Sequence, residues 1–409
     1  MTVSSKAKQY IDSEEKYGAH NYHPLPVVLS HGKGCYLWDV DGKRYFDFLS
    51  AYSAVNQGHC HPKIVAALKA QAEMLCITSR AFYNDALGPY DKFMHDYFGY
   101  DKILPMNTGA EAVETALKLT RKWGYLKKGI PENEAIIVAC EGNFHGRTVT
   151  IVSLSSDPEA RADYGPYTPG IEVIPYNNVA ALSSLLEEKA ASIAGFLVEP
   201  IQGEAGVYVP DEGYLKACYD LCKSHDVLFI ADEVQTGIGR TGRMLCCDHE
   251  GVRPDIVILG KALSGGVLPV SAVLADDEIM LTIQPGQHGS TFGGFPLACK
   301  VATAALEVVK EEKLAEKAEK LGNIFRDEMK KIKSPFILQV RGKGLLNAIV
   351  IAPHNGKEAW DLCMKMAENG LLAKPTHGHI IRFAPPLVIT EEELRKAIDI
   401  IKESIKSLE

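Results

Sequence analysis

The sequence predicts an α/β protein with a large domain built on a mostly parallel sheet flanked by helices, and a smaller α+β domain. Two patterns carry that expectation. Short, wholly apolar runs alternate with helical stretches through the middle of the chain, as strands buried on both faces do. Beyond Pro296 the pattern turns to long helical periodicity and then to mixed segments. Taken in order, Gly32 to Tyr45 read as a hairpin closed at Asp41-Gly42. The expected strands of the sheet are residues 135–140, 149–154, 194–198, 227–231, 256–259 and 270–274. A helix follows through Ala298, Val301, Ala302, Ala305 and Val308. Strands at 336–340 and 345–351, a helix at 358–368, a strand at 380–383 and an amphipathic helix at 391–408 complete the chain.

With 409 residues, 46% apolar and 23% charged, the chain can fill two cores of the ~100–200 residues a domain commonly holds. A net charge of -8 without any basic tract argues against nucleic acid and against an anionic membrane surface. No apolar stretch approaches the ~18 residues of a membrane span. The ten cysteines are scattered without Cys-x-x-Cys or zinc-ligand spacing, and read as buried hydrophobes or free thiols of a reducing compartment. The first residues have neither a secretory apolar core nor an Arg-rich leader. They point to the cytoplasm, or to the mitochondrial matrix if a presequence has been removed.

The chemistry centres on Lys261, which follows the apolar run 256–259 and sits among Gly260, Gly265 and Gly266. A second run, 227–231, ends in Asp232, with Gln235 just beyond. An aldehyde cofactor needs an amine to hold it, and an amine is nucleophilic at neutral pH only when desolvation or charge lowers its pKa. A pyridine ring withdraws electrons only while its nitrogen stays protonated, which a buried carboxylate secures. Lys261 and Asp232 therefore suit pyridoxal 5'-phosphate. Thr108 would cap a helix opening at Gly109 and Ala110, whose N–H groups and dipole favour a phosphate. Taken alone, that stretch reads as an ordinary capped helix.

Through LFIADEVQTGIGRTG at 228–242, PDIVILGKALSGG at 254–266 and GSTFGGFPLAC at 289–299, the chain resembles the class III aminotransferases, pyridoxal-phosphate enzymes of fold type I. YSAVNQGHCHP at 52–62, GNFHGRT at 142–148, VEPIQGEAGV at 198–207 and LLAKPTHGHIIRFAPPLVI at 371–389 resemble its ornithine-specific branch. The resemblance runs from about residue 15 onward. It implies a seven-stranded sheet and a division into residues 1–53 packing with the small domain, a cofactor-binding domain at 54–295 and the small domain at 296–409.

The resemblance also assigns roles. Gly109, Ala110 and Gln235 would form the phosphate cup, and Ser290 and Thr291 would donate to the phosphate of the neighbouring subunit, so that a homodimer completes the site. Phe144 would stack on the cofactor ring, with Asp232 at its nitrogen. Arg147 and Tyr22 would take the substrate α-carboxylate, and Tyr52 would separate ornithine from acetylornithine. Glu204 would close on Arg382 while ornithine reacts, then release it to 2-oxoglutarate. The implied reaction transfers the δ-amino group of L-ornithine to 2-oxoglutarate by a ping-pong course, giving glutamate and a semialdehyde that cyclises to pyrroline-5-carboxylate. Two positions depart from the branch: His145 stands where Trp is typical, and His379 where Asp is usual.

Other readings compete. Acetylornithine and 4-aminobutyrate are alternative amino donors in the same class. Gly237-x-Gly239-x-x-Gly242 matches a dinucleotide fingerprint, but residues 243–251 offer no apolar helix to receive a pyrophosphate. A binding protein on this scaffold would normally have lost Lys261. His59 and His61 read as a turn before a helix at Pro62, with no third metal ligand nearby.

Overall fold

The computed structural model describes residues 3–409. Its centre is a seven-stranded sheet in the spatial order Lys102–Met106, Ser271–Ala275, Ile256–Leu259, Leu228–Asp232, Ile193–Val198, Ile136–Cys140, Ile171–Ile174. The last five strands in that order run parallel, and Ser271–Ala275 runs antiparallel to both its neighbours. Every residue of Ile193–Val198, Leu228–Asp232 and Ile256–Leu259 is buried, as expected of strands covered on both faces. One covering helix, Gly109–Trp123, turns Val113, Ala116, Leu117 and Thr120 inward.

Residues 149–154 form a helix, Val149–Leu154, and correct the strand expected there. Its β-branched composition favours a strand only weakly, and packing decides. Ile151 and Leu154 join the core beneath the sheet, while Ser153 donates to the Val149 carbonyl at 2.9 Å. The strands Lys102–Met106 and Ile171–Ile174 were not anticipated; both lie at sheet edges and carry charged residues or Pro. A helix at Ser5–Tyr17, capped by Ser4, was also unforeseen.

Two smaller sheets flank the large one. Leu29–Lys33, Tyr36–Asp39 and Arg44–Asp47 form an antiparallel meander, joined in parallel by Leu371–Leu372. Ile337–Lys343, Leu346–Ile351, Ile380–Phe383 and Lys374–Thr376 form the other. The long helices Pro296–Glu311 and Leu314–Lys330 precede it, and the chain closes with Glu391–Lys406.

The run Gly237 to Gly242 is a series of turns with no α-helix after it. Its Arg240 is fully buried, yet meets no carboxylate. Four hydrogen bonds hold it: two to Asn56 Oδ1 and one each to the Leu345 and Pro385 carbonyls. Burial pulls its pKa down to about 9, with Asp47 opposing.

Candidate active site

The carboxyl ends of adjacent parallel strands are where α/β sheets gather their ligands, because strand backbone stops there and loops can diverge. Four such ends meet in this chain. Ile136–Cys140 leads to Phe144 and His145, Ile193–Val198 to Glu199, Leu228–Asp232 finishes on Asp232, and Ile256–Leu259 leads to Lys261. These residues, with Gly109, Ala110, Glu204 and Gln235, line one cavity of about 190 Å³. Lys261 itself has a left-handed backbone, φ 45°, opening a single tight turn.

Burial lowers the pKa of the Lys261 amine from its ordinary value; Glu204 opposes the shift and Arg382 adds to it. Asp232, 5% exposed, accepts from the Val234 N–H at 3.1 Å, and its other oxygen lies 2.6 Å from His145 Nδ1. His145 Nε2 is buried with no partner. Burial alone would lower the His145 pKa, but its bond to Asp232 wins and raises it.

The helix Gly109–Trp123 starts at the cavity. A capping box occupies the N–H groups of Asn107, Thr108 and Glu111, leaving those of Gly109 and Ala110 beside the cavity. Gln235 donates its amide to Glu204 Oε1 at 3.1 Å. A Cβ on Gly203 would come within 1.8 Å of Gln235 Oε1, so a larger residue there would displace the Gln235 amide.

Arg382 Nη1 donates to the same Glu204 oxygen at 2.8 Å, whereas Arg382 Nε is buried and unpaired. Burial would raise the Glu204 pKa, but Arg382 outweighs it and holds the carboxyl below its usual value. The Arg382 guanidinium also lies 5.0 Å from the centre of the Tyr52 ring. Burial raises the Tyr52 pKa, with Arg382 opposing. Tyr52 belongs to an unusual turn: Ser50, Ala51, Tyr52 and Ser53 have φ of 49°, 46°, 61° and 70°. Left-handed backbone costs an L-residue about 1–2 kcal/mol, so the turn is held against its own preference.

Neither Tyr52 nor Arg382 lines the cavity itself, and the remaining expected residues also lie outside it. Arg147 is exposed, its guanidinium 5.3 Å from the Phe144 ring. Tyr22 is 76% exposed. Ser290 accepts from Asn107 Nδ2 at 2.8 Å, and Thr291 is exposed; neither lines this chain's own cavity. His379 faces a separate cleft with Glu141 and Tyr208. His59 and His61 pair with Asp47 and Glu312.

Sequence reasoning missed Glu199. It follows an apolar run as Asp232 does, so the same pattern could have found it. It is 7% exposed and accepts from the Phe144 N–H at 2.8 Å. Burial pushes its carboxyl from 4.5 up to about 7, against the opposing field of His145. A carboxyl whose folded pKa is raised loses stability as pH climbs from the unfolded to the folded value. Glu199→Gln is therefore expected to gain stability over the wild type between about pH 4.5 and about pH 7. At ~1.4 kcal/mol per pKa unit the gain levels off at a few kcal/mol. Thermal unfolding of both proteins across that range checks it; a constant difference in Tm would refute the assignment.

The family model described as aminotransferase class-III matches residues 17–405. An ornithine aminotransferase of Schizosaccharomyces pombe is 60% identical over 97% of this chain and 92% of its own length. The structure of the ornithine aminotransferase from Toxoplasma gondii, which reveals partial occupancy of PLP at its active site, superposes with a TM-score of 0.96. It is 50% identical and covers 98% of this chain, 94% of its own. An acetylornithine aminotransferase structure from Elizabethkingia anophelis has a TM-score of 0.90 and 60% identity, covering 98% and 99%.

Proposed function

This chain belongs to the class-III aminotransferase family, and from that premise we propose that it is a pyridoxal-phosphate-dependent ornithine δ-aminotransferase. The overall reaction converts L-ornithine and 2-oxoglutarate into glutamate 5-semialdehyde and glutamate; the semialdehyde then loses water as its α-amine closes to pyrroline-5-carboxylate. The observation that carries the substrate choice is the Glu204–Arg382 pair at 2.8 Å, in a site that also holds Lys261 and Tyr52.

The residues suit the cofactor. An amine with a depressed pKa, a buried carboxylate, two free N–H groups at a helix start and an unpartnered His145 Nε2 all meet one cavity. When bound, pyridoxal phosphate supplies an aldehyde that accepts an amino group and a ring that stabilises negative charge on the neighbouring carbon. Gly109 and Ala110 would hold its phosphate with Gln235, Phe144 would cover its ring, and Asp232, oriented by His145, would hold a proton at the ring nitrogen. Lys261 Nζ would take a proton from the substrate's δ-carbon and deliver it to the carbon that the cofactor's aldehyde supplies, which its lowered pKa favours.

Glu204 neutralises Arg382, so the closed pair offers no charge to an α-carboxylate beside the reacting carbon. Ornithine then binds with its carboxylate on Arg147 and Tyr22 and presents its δ-amine. For 2-oxoglutarate, Glu204 swings away, and the Arg382 guanidinium, relieved of its internal partner, donates to a carboxylate instead. We further propose a homodimer in which Ser290 and Thr291 serve the neighbouring site. The exposed apolar side chains of Met74, Phe82, Tyr83 and Phe292 support such an interface. Ten unpaired cysteines support a reducing compartment, which we take to be the cytoplasm.

The acetylornithine reading differs at the α-end, where an acetamide replaces the ammonium. Titrating the loaded protein with ornithine, acetylornithine and 4-aminobutyrate, while following its visible absorbance and trapping the pyrroline, separates the donors. Ornithine is expected to discharge the absorbance and release the pyrroline. Discharge by another amine alone would move the substrate within the class.

A further inference from the structure

The left-handed turn Ser50–Ser53 is closed by backbone bonds, among them Tyr52 N–H to the Leu49 carbonyl at 2.9 Å and Ala54 N–H to the Ser50 carbonyl at 2.8 Å, but its side chains add nothing to them. The hydroxyls of Ser50 and Ser53 are buried without partners, so neither side chain closes the turn. Support comes from Asp47 at the end of the strand Arg44–Asp47. Its Oδ1 accepts from the N–H groups of Leu49 and Ser50 at 2.9 and 2.8 Å. Its Oδ2 lies 2.7 Å from His59 Nε2. His59 is itself fixed, because its backbone exchanges two hydrogen bonds with Gly34 and its ring lies against Gly32. Asp47 is 3% exposed, so its carboxylate is shielded from water, while His59 is partly exposed. A backbone that its own residues disfavour persists only where the surroundings over-determine it, and such places concentrate at functional sites.

What the turn carries is Tyr52, whose ring meets the Arg382 guanidinium at 5.0 Å while Arg382 engages Glu204. We propose that Asp47 and His59 are positioning residues for substrate choice: the Asp47 carboxylate, steered by His59, caps a left-handed turn that sets Tyr52 against Arg382. This inference rests on the ornithine reading. Neither residue lines the cavity, and both act through Tyr52. Releasing the cap lets the turn relax toward ordinary backbone, carries the Tyr52 ring off Arg382 and widens the pocket for a bulkier donor.

The test is the ratio of kcat/KM for ornithine to kcat/KM for acetylornithine in the holoenzyme. Asp47→Ala is expected to lower that ratio about tenfold, the scale of a lost hydrogen bond at a buried cap. Asp47→Asn, which keeps an acceptor for both N–H groups, should recover most of it. In a Tyr52→Ile background, Asp47→Ala should leave the ratio unchanged, because the residue through which it acts is gone. A merely structural role would depress both donors alike and would add to Tyr52→Ile; either result overturns the proposal. If Asp47→Ala yields no soluble enzyme, His59→Gln reads the same ratio without removing the two backbone bonds. A wild-type ratio there overturns it too. Failure of the ornithine reading would appear in the wild type, as absence of the trapped pyrroline.

Discussion

Lys261→Ala is expected to abolish transamination, lowering kcat by about four orders of magnitude or more, the upper range of what a positioned general base contributes. No neighbour can replace the amine. Asp232 is engaged by His145 and the Val234 N–H, Glu204 by Arg382 and Gln235, and Glu199 is pushed toward its neutral form. The substitution should not unfold the protein, because removing a buried amine removes its desolvation cost, and the left-handed backbone at 261 is equally awkward for Ala. Stopped-flow single turnovers with ornithine, alongside thermal unfolding, check both halves. A variant that still cycles at the wild-type rate would show that another base does the work.

Glu204→Ala should change what the enzyme accepts. With its partner gone, Arg382 remains 6% exposed and uncompensated, so its charge is open to any carboxylate beside the reacting carbon. We expect the ratio of δ- to α-amino transfer to fall about 10- to 100-fold, the range of a hydrogen bond between charged groups. KM for 2-oxoglutarate should fall with it, since no internal carboxylate then competes. Breaking a buried pair costs about 3–5 kcal/mol; Glu204 keeps 24% of its side-chain surface exposed, so the stability loss should lie at or below the lower end. The Glu204 pKa is lowered in the folded state, so the wild type holds this contribution in full above about pH 4.5 and loses it only in acid. Product analysis of ornithine labelled at each nitrogen reads the ratio; an unchanged value would remove the gate.

The parts of this site legible in the sequence were those where a polar residue interrupts a buried strand pattern. Asp232 and Lys261 stood out because an apolar run ended on or just before them. Glu199 obeys the same rule, directly after the buried strand Ile193–Val198. The helix opening at Gly109 was legible through its Thr108 cap. By contrast, the edge strands Lys102–Met106 and Ile171–Ile174 have no full apolar run to betray them, since an edge strand is half solvated. Residues 149–154 misled because β-branched side chains suit a strand locally, whereas the segment is a helix that packs Ile151 and Leu154 into the core. The left-handed turn at 50–53 could not be read at all: none of its residues is Gly or Asn, the types that ordinarily announce positive φ. Asp47 caps it from three residues upstream, and the pairing of Asp47 with His59 is revealed only by three-dimensional proximity. The role of Gln235 as a ligand of Glu204 was invisible for the same reason.

Arg240 sets a schedule for the growing chain. Its acceptors lie 184 residues before it and 105 and 145 residues after it. Closing loops of that span is the slow part of acquiring a fold. As the polypeptide leaves the ribosome, Asp232 and Lys261 emerge well before Leu345, Arg382 and Pro385, so the amine and carboxylate of the site exist while the guanidinium of Arg240 still has no carbonyls to meet. Arg382, the arginine proposed to take a carboxylate of 2-oxoglutarate, therefore joins the pocket only as the long loops around Arg240 close, long after Tyr22 and Arg147 have emerged.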